Sequence, residues 1–282
     1  MPEVICTVRQ MQRFADRARS DGRCIGLVPT MGSLHEGHLS LIRRAGALAD
    51  VVVVSVFVNP TQFGLGEDFD RYPRDLDRDC RLVEEAGGHV VFAPSADEMY
   101  PPGFATRVRV DRLTETLCGL SRPGHFEGVT TVVAKLLAAT KPHAAVFGQK
   151  DAQQAIVVQR MVRDLNVDVQ IVVSPTVREE DGLALSSRNI YLSAGERADA
   201  VVLYQCLELA KALIRDGERN ASRIVEEMSR RIQAKPSARI DYVAIVDTEL
   251  LEPMGTLSGR VLIALAVYIG KTRLIDNAVV DV

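Results

Sequence analysis

Two histidines three residues apart, His35 and His38, follow a turn of sequence Pro29-Thr-Met-Gly32 that itself follows an apolar run. Residues three apart on a helix share one face, so both imidazoles can be presented to one point. A helix start also offers backbone N–H groups and the positive end of the helix dipole, which favour phosphate. This order predicts a nucleotide site. The alternatives are two incidental histidines or a metal site, and the latter is disfavoured because no third ligand lies nearby in the sequence.

A scarce residue type marks a second motif. The 34 basic residues include only six lysines, and one of them, Lys150, stands in the run Gly148-Gln-Lys-Asp151. Its ammonium group offers a mobile point charge for phosphate, while the glycine permits a tight turn and the aspartate can cap the helix that follows. Gln153 and Gln154 come next. One of these amides is expected to face the site and the other to lie at the surface.

A third motif, Ala184-Leu-Ser-Ser-Arg-Asn189, lies in a polar segment between two predicted domains. Two hydroxyl groups and a guanidinium group suit the binding of a triphosphate as it breaks. The alternative is a serine-rich, solvated linker. The position between domains favours the first interpretation, because clefts form there.

A fourth motif, Asn59-Pro-Thr-Gln-Phe63, carries neutral amides directly after an apolar run. Amides suit a polar organic substrate better than a phosphate, and Gln62 could bind hydroxyl and carboxylate oxygens of such a substrate.

The strands and helices that carry most of these motifs can be predicted from residue patterns in the first two-thirds of the chain. Continuous apolar runs predict strands that are covered on both faces, at 25–28, 51–58, 90–92, 144–147 and 167–173. Helical patterns alternate with them, at 37–49, 76–86, 129–139 and 152–165. This alternation predicts an α/β fold with a doubly wound parallel sheet, in which ligands bind at the carboxyl ends of the strands.

The remaining segments predict a second, smaller domain. Residues 100–126 interrupt the alternation and contain a strand-like stretch at 106–110. After Pro175, a capping box at Ser193 predicts a long helix to about Asp216, and a second helix is predicted at 222–233. Strand patterns at 240–246, 260–267 and 273–280 complete an α+β domain with an antiparallel sheet. The expected domains are therefore residues 1–175 and 176–282.

Composition excludes several classes of function. A net charge of −3 gives no reason to expect nucleic acid or an acidic membrane as a partner. No apolar run approaches the ~20 residues that span a bilayer, and the first residues do not resemble a secretory signal. The five cysteines form no Cys-x-x-Cys pair, which argues against a zinc site or a disulfide framework. We therefore expect a cytoplasmic protein.

Together with Arg122-Pro-Gly-His-Phe126 and Leu274-Ile-Asp-Asn277, these motifs closely resemble the pantoate–β-alanine ligase family along essentially the whole chain. The resemblance implies a Rossmann-like nucleotidyltransferase domain, a smaller C-terminal lid domain and a homodimer. It further implies that pantoate and ATP form pantoyl adenylate, with Mg²⁺ accompanying ATP, and that β-alanine then displaces AMP to give pantothenate.

The resemblance also implies roles for individual residues. His38 matches the proton donor, and His35, Lys150 and Arg188 are expected to share catalysis by neutralising charge. Gln62 and Gln154 match amides that hold pantoate, and Asn59 matches a residue near the path of β-alanine. The expected ATP contacts are Met31, Gly32, Ser33, Leu34, His35, Glu36, Gly37, His38, Gly148, Gln149, Lys150, Asp151, Val177, Leu185, Ser186, Ser187 and Arg188.

Two positions depart from the family pattern, Gln149 in place of the usual Glu and Ala152 in place of a common aromatic residue. A nucleotidyltransferase with a phosphate-bearing acceptor is one alternative, but it would require basic residues around Gln62. A non-catalytic nucleotide sensor is another, although it would not need both Lys150 and Arg188. No metal ligands and no base for the β-alanine step are assigned. Asp77 and Asp79 are candidate carboxylates on the metal side of the site, but a solvated helix face is the favoured interpretation for both.

Overall fold

The computed structural model describes residues 1–64 and 66–282, which form two compact units. Unit 1 consists of three segments, Met1–Asp111, Arg122–Gly148 and Val157–Pro175. Unit 2 consists of Arg112–Ser121, Gln149–Ile156 and Thr176–Val282. Two short stretches from the first two-thirds of the chain thus belong to unit 2.

Strands in the described residues form one sheet in each unit. The sheet of unit 1 is fully parallel, with the strand order β1-β4-β3-β2-β5-β6. That of unit 2 is antiparallel, with the order β7-β8-β9. These sheets confirm the predicted fold class. The strands are β1 (Glu3–Ile5), β2 (Ile25–Thr30), β3 (Val51–Val56), β4 (Val90–Phe92), β5 (Ala144–Gly148), β6 (Gln170–Ser174), β7 (Ala238–Asp247), β8 (Arg260–Ile269) and β9 (Thr272–Asp281).

Helices cover the sheets and connect their strands. In unit 1, α2 packs against α3 and the central strands, and α1 packs against α6. In unit 2, α9 and α10 pack against each other and the sheet. The helices are α1 (Val8–Ser20), α2 (Glu36–Gly46), α3 (Leu76–Glu85), α4 (Ala96–Met99), α5 (Cys118–Ser121), α6 (His125–Thr140), α7 (Ala152–Asp164), α8 (Ala194–Ala200), α9 (Val202–Arg215) and α10 (Ala221–Gln233).

The strand predicted at 106–110 is wrong, because this segment has no regular structure. Its backbone bonds to threonine side chains of α6 instead of to another strand. The Val108 amide donates to Oγ1 of Thr131 at 3.0 Å, and the Val108 carbonyl accepts from Oγ1 of Thr130 at 2.5 Å. A sequence pattern of alternating residues cannot distinguish these partners from a neighbouring strand.

Other boundaries also differ from the predictions. The helix predicted from Ser193 to about Asp216 is two helices, α8 and α9, and α6 begins four residues earlier than the predicted 129. Strand β1 and helix α1 were not predicted. Within the described part of the chain, no helix has both the length and the apolar character required to cross a membrane.

Candidate active site

The segment 29–38, which we call the histidine loop, follows β2 and opens α2. His35 is the N-cap residue of α2, and its Nδ1 accepts the Gly37 amide at 3.2 Å. Nδ1 of His38 accepts the His35 amide at 3.4 Å, which completes a capping box made of two histidines. The ring centroids lie 4.1 Å apart. Because each Nδ1 accepts a backbone N–H, the proton of each neutral ring lies on Nε2, which is then a donor.

The backbone amides of residues 32–35 already have acceptors within the chain. Gly32 donates to Oγ1 of Thr30 at 3.1 Å. The next two amides donate to the carboxylate of Asp79. Residues 32–35 therefore add no unpaired N–H group to the phosphate site that is predicted at the start of α2. The histidine side chains remain as the loop's candidate phosphate donors.

The position of Asp79 corrects the sequence interpretation. The sequence pattern groups it with Asp77 on a solvated helix face, but Asp79 is only 1% exposed, whereas Asp77 is exposed. Burial raises the pKa of the Asp79 carboxyl above its ordinary value, and the two amide hydrogen bonds oppose that rise only in part.

The amide motif after β3 forms a short 3₁₀ turn, Pro60–Gln62. Asn59 lies beneath it and is 1% exposed. Its Nδ2 donates to Oε1 of Gln62 at 3.0 Å and to the Gly128 carbonyl at 3.1 Å, while its Oδ1 accepts the Tyr100 hydroxyl at 2.8 Å. Gln62 is half-buried and donates to Sδ of Met31 at 3.0 Å. The structure therefore places Asn59 as a buried support and Gln62 as the more accessible amide.

Two residues of the Arg122–Phe126 motif hold the same turn. His125 Nδ1 lies 2.8 Å from the Gln62 carbonyl, and Arg122 donates to that carbonyl at 3.2 Å. Arg122 also forms an ion pair with Glu67 at 2.6 Å. Burial alone would raise the pKa of Glu67, but the hydrogen bonds and charge of Arg122 hold it below its ordinary value. The sequence motif by itself assigns no role to Arg122 or His125.

Close packing also determines the position of the turn. A Cβ atom on Gly128 of α6 would lie 2.4 Å from the carbonyl oxygen of Thr61 and 2.7 Å from the amide nitrogen of Gln62. Real Cβ atoms do not approach backbone atoms this closely, so α6 and the turn require a glycine here.

The lysine motif in unit 2 forms another 3₁₀ turn, Gln149–Asp151. Asn277 of β9 fastens this turn, because its Nδ2 donates to the carbonyls of Gln149 and Lys150, each at 2.9 Å. The Gln149 side chain donates to Oδ1 of Asn277 at 2.9 Å. Nζ of Lys150 lies 3.9 Å from the Asp151 carboxylate. The unusual Gln149 is thus engaged with Asn277.

Of the two glutamines of α7, one differs from the expectation. Gln154 is half-buried, as a site residue would be, but Gln153 is not at the surface, being only 6% exposed. The Gln153 side chain accepts the Cys118 amide at 2.9 Å and donates to the carbonyls of Leu113 and Thr116 at 2.9 and 2.8 Å. These three bonds fasten the 112–121 segment within unit 2.

Residues 176–193, which we call the serine–arginine loop, are held mainly by charged side chains. Arg178 forms a two-point ion pair with the buried Asp276, at 2.6 and 3.0 Å. Arg197 of α8 binds Glu179 and Asp181, in each case at 2.8 Å.

The predicted ATP contacts of this loop are half-buried, and two of them, Ser187 and Arg188, begin a short 3₁₀ turn, Ser187–Tyr191. Ser186 caps the turn by accepting the Arg188 amide at 3.3 Å. The Leu185 amide donates to the Val177 carbonyl at 3.0 Å, which brings those two predicted contacts together.

The predicted residues are thus grouped by unit. Unit 1 brings together His35, His38, Met31 and Gln62, and unit 2 contains Lys150, Gln154 and Arg188. Among residues 1–64 and 66–282, no three His, Cys, Asp or Glu side chains cluster as a metal site would require.

The fold, the paired histidines and the lysine turn define a Rossmann-like nucleotide-binding enzyme. The sequence profile of the pantoate–β-alanine ligase family matches residues 3–279. The pantothenate synthetases of Moorella thermoacetica and Heliobacterium modesticaldum are 57% and 58% identical, each over 99% of both chains. The crystal structure of pantothenate synthetase from Thermus thermophilus has a TM-score of 0.93 at 48% identity, over 98% of both chains.

A pantoate–β-alanine ligase from Francisella tularensis, crystallised with an ATP compound and β-alanine, has a TM-score of 0.79 at 35% identity, over 99% of this chain and 97% of that one. The chain belongs to the pantoate–β-alanine ligase family. Its activity is the ATP-dependent joining of pantoate to β-alanine through an adenylate, which confirms the expectation from the sequence motifs.

Proposed function

We propose that His35 and His38 act together on the phosphates of ATP during formation of pantoyl adenylate. Carboxylate attack on a phosphoanhydride brings one anion against another, so catalysis depends on positioning and charge neutralisation. The observation that carries this proposal is the double-histidine capping box, which directs the proton of each neutral ring to Nε2. His38 is the proposed proton donor, with His35 beside it.

Lys150 and Arg188 are the proposed cations for the triphosphate. A fastened main chain beneath each side chain supports this role, because Asn277 holds the lysine turn and Ser186 caps the arginine turn. Their cationic groups would neutralise charge as the phosphoanhydride bond breaks. The remaining predicted ATP contacts, at Met31–His38, Gly148–Asp151 and Val177 with Leu185–Ser187, are proposed to surround the nucleotide.

Gln62 and Gln154 are the proposed pantoate-binding amides, since both are half-buried and carry donor and acceptor atoms. The side chain of the buried Asn59 hydrogen-bonds to Gln62, Gly128 and Tyr100 within unit 1. These bonds support a role for Asn59 in positioning Gln62 rather than in contacting β-alanine directly. In the second step, the amine of β-alanine attacks the activated carbonyl and AMP leaves.

Further parts of the proposal concern the setting of the reaction. Mg²⁺ is proposed to arrive with ATP, since this ion usually keeps several waters and binds through substrate phosphates with one or two carboxylates. The described residues offer no cluster of His, Cys, Asp and Glu side chains that would hold the ion alone. We also propose a cytoplasmic homodimer, with residues 1–175 binding nucleotide and pantoate and residues 176–282 acting as a lid.

Incubation with pantoate, β-alanine and Mg-ATP, followed by product analysis, tests the proposal. We expect pantothenate, AMP and pyrophosphate in equal amounts, and an adenylate when β-alanine is left out. Release of ADP, or AMP formation that does not depend on pantoate, would contradict the mechanism.

A further inference from the structure

A buried carboxylate in unit 1 has no part in the mechanism described above. Among the described residues, only two acidic side chains are buried, Asp79 and Asp276. Asp276 is paired with an arginine at two points, but the nearest cation to Asp79 is Arg78, whose Nη1 lies 3.9 Å from Oδ1. Burying a carboxylate costs free energy unless hydrogen bonds compensate for the lost solvation. The hydrogen-bond partners of Asp79 therefore indicate which part of the structure it stabilises.

Those contacts are with the histidine loop. Oδ2 of Asp79 accepts the Ser33 amide at 2.9 Å, and Oδ1 accepts the Leu34 amide at 2.8 Å. Arg78, the preceding residue, donates to the Leu34 carbonyl at 3.2 Å. Helix α3 therefore holds three successive peptide groups, from Gly32 to His35, by hydrogen bonds.

The loop needs these hydrogen bonds because part of its backbone has an unfavourable conformation. Gly32 and Ser33 have φ values of +79° and +52°, so two successive residues lie in the left-handed region. A serine there is strained unless the surroundings hold it. A Cβ atom on Gly32 would lie 2.8 Å from Oδ2 of Asp79, which shows how closely the carboxylate lies against the backbone.

We propose that Asp79 is a positioning residue, whose carboxylate holds residues 32–34 in the conformation that presents His35 and His38 to ATP. This inference rests on the proposed role of the two histidines. A carboxylate is required because both of its oxygens accept. An asparagine would turn one N–H₂ group toward a backbone N–H and lose one of the two bonds.

The test compares Asp79→Asn with Asp77→Asn, which makes the same chemical change at an exposed position of the same helix. We expect Asp79→Asn to slow single-turnover adenylate formation by about 10- to 100-fold, because a shift of ~1 Å in a catalytic group has effects of this size. Hydrogen exchange at the Ser33 and Leu34 amides should accelerate at least about tenfold, the loss expected for one hydrogen bond. Asp77→Asn should match the wild type in both measurements, and the rate at which β-alanine converts preformed adenylate should not change in either variant.

Two results would overturn the proposal. One is an Asp79→Asn protein whose adenylation rate and amide exchange equal those of Asp77→Asn. The other is recovery of the lost rate at raised Mg²⁺, which would show that Asp79 acts through the metal. If Asp79→Asn does not fold, Gly32→Ala displaces the same oxygen, and a normal adenylation rate in that variant would also overturn the proposal.

A failure of the proposed function gives a different result. If the wild type forms no adenylate, the roles of His35 and His38 are wrong, whereas the amide exchange of Ser33 and Leu34 still reports whether Asp79 holds the loop.

Discussion

The histidine loop of unit 1 and the serine–arginine loop of unit 2 are both proposed to bind ATP, yet they are held in different ways. In the histidine loop, side chains accept backbone N–H groups, and the most distant acceptor, Asp79, is buried. In the serine–arginine loop, Arg178 and Arg197 form ion pairs with carboxylates. The first loop therefore depends on buried hydrogen bonds and the second depends on paired charges.

The pKa values of the acidic groups reflect this difference. Burial raises the pKa of Asp79 above the ordinary value of 3.8. Hydrogen bonds from Arg197 lower the pKa of Asp181 below the same value. One loop thus contains a carboxylate whose charge is disfavoured by its surroundings, and the other contains one whose charge is stabilised. Variants of the two loops and of the lysine turn test this contrast.

Removing a proposed catalytic side chain, from the histidine loop of unit 1 or from the lysine turn of unit 2, should have the largest effect. We expect His38→Ala and Lys150→Ala each to slow adenylate formation by about 10²–10³-fold, measured by rapid-quench single turnover. His38→Ala also removes half of the capping box and should cost about 1 kcal/mol of stability, whereas Lys150→Ala should leave unfolding unchanged. A near-normal adenylation rate in either variant would show that its assigned role is wrong.

Breaking the buried ion pair should cost the most stability. Arg178→Ala leaves the Asp276 carboxylate buried without its cation, and we expect a loss of about 3–5 kcal/mol in urea unfolding. The double variant Arg178→Ala with Asp276→Ala should recover part of that loss, because no charge then remains buried. Equal stability of the single variant and the wild type would mean that the pair does not hold the loop.

The more exposed pairs of Arg197 should contribute less. Glu179 and Asp181 are 33% and 43% exposed at the side chain, so Arg197→Ala should cost about 1 kcal/mol at low salt and less at high salt. Arg215→Ala is the matched control, since Arg215 is 78% exposed and its pair with Asp216 should contribute nothing measurable. If Arg197→Ala loses the same free energy of unfolding at both salt concentrations, salt does not screen the ion pairs of Arg197 and this prediction is wrong.

The smallest effect concerns pH. The pKa of Asp181 is lowered in the folded state, so its contribution is complete above 3.8 and is lost as the pH falls through the folded value. The difference in stability between the wild type and Asp181→Asn should therefore shrink as the pH falls below about 4. The contribution of Asp79 to folding stability depends on pH in the opposite direction. Its pKa is raised in the folded state, so the contribution is complete below pH 3.8 and is lost as the pH rises through the pKa of the folded state. Thermal unfolding of the wild type, Asp181→Asn and Asp79→Asn across this pH range distinguishes the two directions of pH dependence.

Local signals in the sequence account for much of the fold. The five predicted apolar runs overlap β2 to β6. For β2 to β5 the reason is that strands buried on both faces must be apolar along their length. Strand β1 had no such signal, since two of its three residues are exposed. The 106–110 stretch alternates like a strand, but the threonines of α6 take its backbone hydrogen bonds. Here the pattern was local and the partner was distant.

The candidate site divides in the same way. The types and positions of His35, His38, Lys150 and Arg188 predicted phosphate chemistry, and the resemblance of the motifs along the whole chain predicted the family. Their supports were not predictable, because a support is defined by what it contacts. Asp79 lies 45 residues from Leu34 in the chain, and Asn277 lies 127 residues from Lys150.

Residue type and short-range spacing thus account for most of the order of strands and helices and for the chemical groups available for catalysis. Three supporting contacts became visible only in the folded chain: Asp79 is buried beneath the histidine loop, Gln153 braces the interior of unit 2, and Asn59 supports Gln62. The physical reason is that burial and hydrogen-bond partners are set by chain segments far apart in sequence, whose approach no local pattern records.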